Sequence, residues 1–123
     1  MTTPPRALAQ ALLDAFMAKD KARILAAFAA DGLLIDPHYP QPAMQGQDAI
    51  AAGLDFALGF IQQPGFMVRK AWQDDASCVL EVDTSHTFVN GQQAQFPQVF
   101  VFDFDGELIR RFQAYAPYPP PAP

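Results

Sequence analysis

Residues 77–104 read "SCVLEVDTSHTFVNGQQAQFPQVFVFDF": two runs alternating at period two around an Asn-Gly pair. Successive side chains of a strand point to opposite faces, and Asn-Gly is the strongest short signal for a tight hairpin. The stretch therefore predicts two long antiparallel strands. If Asn90 and Gly91 are the two central residues, opposed residues sum to 181, so Glu81 meets Phe100, Asp83 meets Gln98 and Val79 meets Phe102. Opposed residues share a face. Phe96, Phe100, Phe102 and Phe104 then lie with Glu81, Asp83 and Gln98. Rings mixed with carboxylates are costly in a solid core but tolerable on the wall of a wet cavity. A slip of one residue would instead send Glu81 and Asp83 to solvent and bury Leu80, Val82 and Phe88. The first register is the expected one.

Outward from this hairpin, "FMVRKAW" (66–72) and "ELIRRFQAY" (107–115) also alternate, set off by "QDDA" and by "DG". Gly106 suits the left-handed third position of a three-residue loop, which would put Leu108, Phe112 and Ala114 on the Phe100 face and Tyr115 at the rim or opposite side. The first half of the chain has the helical period. Leu8, Leu12 and Phe16 recur every four residues after Thr3, a candidate N-cap, and Pro4 and Pro5. Asp20 caps a second helix that places Ile24, Leu25 and Phe28 on one face. "GQDAIAAGLDFALGFIQQPG" (46–65) aligns Ile50, Leu54, Ala57 or Leu58, and Ile61 before Pro64 and Gly65 stop it. "LLIDP" (33–37) is a short early strand. The expected class is α+β: three helices on one face of a curled, mostly antiparallel sheet of four long strands plus the short one.

At 123 residues the chain is expected to form one domain over 1–116, with a Pro-rich tail over 117–123. A domain of this size buries about two thirds of its unfolded surface. Half of the residues are hydrophobic and eleven are Phe, so the core needs no metal or disulfide. The formal net charge of −5, without a Lys or Arg cluster, argues against nucleic acid. One Cys excludes an internal disulfide and a thiolate zinc site, and Cys78 reads as a small buried hydrophobe. Two His and scattered acids have no ligand spacing, so no metal or other cofactor is expected. No long apolar segment suggests a membrane span, and the N-terminus lacks the pattern of a signal peptide; a cytoplasmic protein is expected.

The candidate chemistry sits in "LLIDPHYPQPAMQG" (33–46). Asp36 is either a turn residue closing a strand before Pro37 or a general base at the lip of an apolar cavity. His38 and Tyr39 are either loop residues or proton donors at the same mouth. Asp83 and Glu81 are a second carboxylate site if they face inward, or surface groups if they do not. His86 would titrate if inward. Leu12, Phe16, Phe28, Leu54, Leu58, Trp72, Gln98, Phe100, Phe102 and Phe112 line a pocket if one exists and fill a core if none does.

The pattern of "LAAFAADGLLIDP", "GQDAI" and "FVFDFDGELIRRFQAY" resembles the nuclear transport factor 2-like superfamily, in particular its ketosteroid isomerases and SnoaL-type polyketide cyclases, from Ala7 to Tyr115. The resemblance implies a cone-shaped α+β barrel around one deep pocket for a small hydrophobic molecule, often in a homodimer. Asp36 matches the catalytic aspartate of the isomerases, which work with an aspartate base and an oxyanion hole of a tyrosine and a protonated carboxylic acid, a case among the general patterns of pKa tuning. The places of those two donors fall at or near Leu12 and at Phe100, which cannot donate a hydrogen bond. Losing one such donor commonly costs about two to three orders of magnitude in rate. The cyclases use an aspartate and a histidine, for which Asp83 and His86 are candidates; three apart on a strand, they point to opposite faces. The implied activity is proton transfer of isomerase or cyclase type with Asp36 as base. The alternatives are a pocket that binds without chemistry and a dimerisation module with a filled cavity.

Overall fold

The computed structural model describes residues 3–117, so all but the first residue of the Pro-rich tail expected over 117–123 lies outside the described residues. Three helices come first: α1 (Pro5–Met17), α2 (Lys21–Ala26) and, after β1 (Phe28–Ile35) and β2 (Ala43–Gln45), α3 (Gln47–Phe60). Then follow β3 (Ile61–Gln63), β4 (Phe66–Gln73), β5 (Ser77–Phe88), β6 (Gln93–Asp105) and β7 (Leu108–Tyr115). The sheet runs β2-β1-β7-β6-β5-β3, with β4 also paired to β5, and only the β1–β7 pair is parallel. This is the α+β class expected, with the helices on the inner face of the sheet.

Local sequence explains most boundaries. Asp20 caps α2 by accepting the Arg23 N–H at 3.1 Å. Thr3 does not cap α1: the N-cap is Pro4, and the Thr3 N–H donates to Glu107 at 2.6 Å. Phe28 leaves the α2 face and opens β1, because Ala27 closes the helix with backbone bonds to Ile24 and Leu25. Leu54 and Ile50 are fully enclosed on the inward stripe of α3.

The central hairpin adopts the other register. Glu81 pairs Val99, Asp83 pairs Pro97, and Leu80 pairs Phe100, a sum of 180. The loop is the reason. Gly91 has φ 87° and donates its N–H to the Phe88 carbonyl, while the Phe88 N–H reaches the Gln92 carbonyl. Val89, Asn90 and Gly91 thus form a three-residue loop with glycine in its left-handed third place. That one residue turns Leu80, Val82, Thr84, His86 and Phe88 inward and Glu81 and Asp83 outward.

The next hairpin differs from expectation in the opposite sense. Asp105 pairs Leu108 around a two-residue loop, Gly106 (φ 61°) and Glu107. Leu108 is consequently exposed and Ile109 takes the inner position. A bulge between Asp103 and Phe104 then restores Phe112 opposite Phe102 and Ala114 opposite Phe100. Trp72 is also corrected: β4 turns it to the outer face, 48% exposed, with the Lys70 ammonium 4.9 Å from its ring centroid.

The closed end of the cone is solid. Phe102, Leu12, Ile24, Ile50, Leu54 and Ile109 are essentially inaccessible, and Phe102 meets Phe112 edge-on at 4.9 Å. Each such side chain contributes about 1.5–3 kcal/mol by burial. Among the described residues no helix is long and apolar enough to cross a membrane.

Candidate functional site

Towards the open end, the inner face of the sheet and the helices separate around a cavity of about 390 Å³. Asp36, His38 and Tyr39 occupy its mouth; Phe16, Leu58, Gln98, Phe100 and Phe112 form walls. Leu12, Leu54, Phe28 and Phe102 lie in the solid core, since adjacent residues such as Leu13 and Ala57 face the space instead. Glu81 and Asp83 stand on the opposite side of the sheet, in an open groove of about 700 Å³ with Arg69 and Tyr115. Asp83 forms an ion pair with Arg69 at 3.6 Å there, too exposed to matter much for stability.

Asp36 is at once a turn residue and a cavity residue. It ends β1, its N–H donates to the Pro42 carbonyl, and its carbonyl accepts the Tyr39 N–H across Pro37. Its Oδ1 accepts the His38 N–H at 2.9 Å, an Asx-type bond that fixes the carboxyl orientation. Oδ2 accepts no hydrogen bond from the described residues. Burial pushes the Asp36 pKa above its ordinary value of 3.8; the His38 N–H bond and the His38 charge oppose that rise.

The neighbours of Asp36 are held by packing. His38 Nε2 lies 2.6 Å from the Pro117 carbonyl, which can only accept, so that nitrogen carries a proton. Its ring meets Phe96 edge-on at 5.5 Å. Tyr39 lies over α3 at Gly53, where a Cβ would stand 3.1 Å from the ring and collide with the Met44 sulfur. Burial, and then the Asp36 charge, push the phenol's pKa well upward, so it stays protonated.

The orientation of His86 depends on the hairpin register. In the observed register it faces the cavity among Phe66, Phe88 and Phe96. Its Nδ1 accepts the Gly65 N–H at 3.3 Å. Burial, with a smaller effect of the His38 charge, pulls its pKa down to about 4. Gln98 donates Nε2 to Thr84 Oγ1 at 2.7 Å, and its buried Oε1 has no partner among the described residues. Two apolar contributors had no strong signal: Phe56 and Phe60 sit on the solvent-facing side of α3 yet edge the mouth, stacked at 6.1 Å.

Such an arrangement can remove a proton from an apolar, neutral guest. Among the described residues the cavity wall has one carboxylate and no Lys or Arg. No group of three or more His, Cys, Asp or Glu able to hold a metal occurs among the described residues.

Comparison with known proteins agrees with this architecture. A family model described as "SnoaL-like domain" matches residues 9–112. No curated protein sequence matches the chain. Among solved structures, the Δ5-3-ketosteroid isomerase of a Mycobacterium species superposes with a TM-score of 0.82 at 21% identity, covering 94% of this chain and 93% of that one. A nuclear transport factor 2-like protein of unknown function from Burkholderia pseudomallei gives 0.82 at 20% identity, over 94% and 92%. A computationally designed 17-OHP binder gives 0.83 at 16%, over 96% and 95%. Identities this low speak for the fold alone.

Proposed function

The chain belongs to the SnoaL-like domain family, and from that premise we propose that it binds a small, neutral, hydrophobic carbonyl compound and that Asp36 moves a proton beside the carbonyl. The observation that carries this reading is the Asp36 carboxyl at the wall of an apolar cavity, one oxygen fixed by the His38 N–H and the other without a hydrogen bond from the described residues. A raised pKa brings a carboxylate closer to the working pH of a general base.

In the step, Asp36 Oδ2 takes the proton from the carbon next to the carbonyl. The electron pair of that C–H bond moves into the carbonyl, giving an enolate. Returning the proton to another carbon of the conjugated system completes an isomerisation, with no oxidant, metal or cofactor consumed. The Mycobacterium enzyme that shares this fold is described as a ketosteroid isomerase, which makes the reaction class reasonable here.

The test is solvent deuterium exchange into a β,γ-unsaturated cyclic ketone. Asp36→Asn keeps an oxygen for the His38 N–H but removes the base, and should slow exchange by at least about a hundredfold. Equal rates in the two proteins end the proposal.

Leu12 and Phe100 favour a second reading, binding without chemistry, because neither can polarise a carbonyl. Tight binding of the ketone together with that null result would select it. A second copy of the chain is a further proposed partner, to be checked by sedimentation equilibrium.

A further inference from the structure

We propose that His86 is the hydrogen-bond donor for the ligand's carbonyl oxygen, held as the Nε2–H tautomer by the backbone of Gly65. The inference rests on the reading of the cavity as a carbonyl site and supplies the donor that Leu12 and Phe100 cannot.

Gly65 lies flush against β5: the Ser85 N–H donates to its carbonyl at 2.8 Å, and a Cβ at Gly65 would collide with the Ser85 carbonyl oxygen. That close approach lets the Gly65 N–H reach His86 Nδ1 at 3.3 Å. An N–H can only donate, so Nδ1 must be the bare nitrogen and the ring proton must sit on Nε2. Nε2 has no hydrogen-bond partner among the described residues, although the ring lies on the cavity wall.

The ring cannot easily turn away. Phe66, Phe88 and Phe96 contact it edge-on, with centroids 5.3, 6.4 and 6.1 Å distant. Phe96 also contacts His38, so the two imidazoles flank one ring and His86 shares a stretch of wall with the Asp36 turn. The titratable groups facing the same space are Asp36, His38 and Tyr39. His38 gives its Nε2 to the Pro117 carbonyl. The low pKa of His86 keeps it neutral, so it acts as a dipolar donor and not as a cation. A neutral donor in an apolar site suits a ketone or enolate oxygen, and it gives no charge with which to retain a carboxylic acid.

Two measurements test this on the whole 123-residue chain. The ¹⁵N shifts of the His86 ring identify the protonated nitrogen without any ligand. The carbonyl stretch of bound 2-acetylnaphthalene, labelled with ¹³C at the carbonyl, reports donation to its oxygen. Expected are a neutral ring with Nε2 protonated from pH 5 to 8 and a stretch lowered on binding. That shift should be lost in His86→Phe, with about five- to tenfold weaker binding, and partly restored in His86→Gln, whose amide N–H can take the same place.

A ring protonated at Nδ1, or a shift that survives His86→Phe and disappears in Tyr39→Phe, overturns the assignment while leaving the Asp36 reading intact. A His86-dependent shift in a protein whose exchange ignores Asp36→Asn supports His86 and defeats only the base. Failure of the ketone to bind counts against both.

Discussion

Burial disfavours the charged form of both Asp36 and His86, so their contributions to stability change with pH in opposite senses. The Asp36 pKa is raised on folding, so the folded protein holds that proton more tightly than the unfolded chain. Its contribution is most favourable below about 3.8 and is lost as pH rises through the folded value. The His86 pKa falls from 6.5 to about 4. Stability linked to it is fully present above pH 6.5 and is lost as pH falls toward 4, by at most about 3 kcal/mol. Urea unfolding at pH 4 to 7 should therefore show His86→Gln with a shallower acid limb than the wild type. Asp36→Asn should gain on the wild type as pH rises from 4. Parallel curves for all three proteins would mean that the two groups are well hydrated. The cost at Asp36 is of the kind a binding site imposes, because a carboxylate with solvent access to both oxygens would be cheaper but a weaker base.

Among the elements, the β5–β6 hairpin has the greatest influence on the site. Removing Val89 leaves Asn90-Gly91 as a two-residue loop between the same Phe88 and Gln92 partners, so the register survives. That variant should unfold cooperatively, within about 1–2 kcal/mol of the wild type, and still bind ketone. Removing Gln92 instead moves every β6 side chain to the other face; Phe100 and Phe102 would turn to water and the protein should lose its cooperative urea transition. Comparable stability in both deletions would show that the loop does not set the register. The hairpin also marks the limit of what the residues disclose. The four long strands, the helix order, the Asp20 cap and the Asp-Pro turn followed from period and turn chemistry; the short strands β2 and β3 did not, and Ile61, expected on the third helix, opens β3. Parity of β5 did not, because "VNGQ" admits two loops that differ by one residue: Gln98, Phe100 and Phe102 on β6 keep the expected inner face, while the residues of β5 invert together. Glu81 and Asp83 went outward and His86 came inward. Leu108 failed for the same reason at the next turn, and Ile109 took its place.

Over the whole molecule the cone separates two surfaces. Inside are rings, one carboxyl, two imidazoles and a phenol. Outside are the charged and amphipathic residues of the groove, Arg69, Glu81, Asp83 and Tyr115 among them. The existence of a hollow could be suspected from eleven Phe in 123 residues, but which rings border it could not. Leu12, Leu54 and Phe102 have the same composition signal as Leu58 and Phe100, and only their depth along the cone distinguishes filler from wall.

The chain's single tryptophan lies on the wrong side of the sheet to sense a guest. Trp72 is half open to solvent on β4, under an ammonium group, and lines no part of the hollow. Its emission should stay constant while ketone saturates the protein and should change with protein concentration only if copies meet across the convex side. Native fluorescence is thus a gauge of self-association, and a naphthyl guest is needed to light the interior.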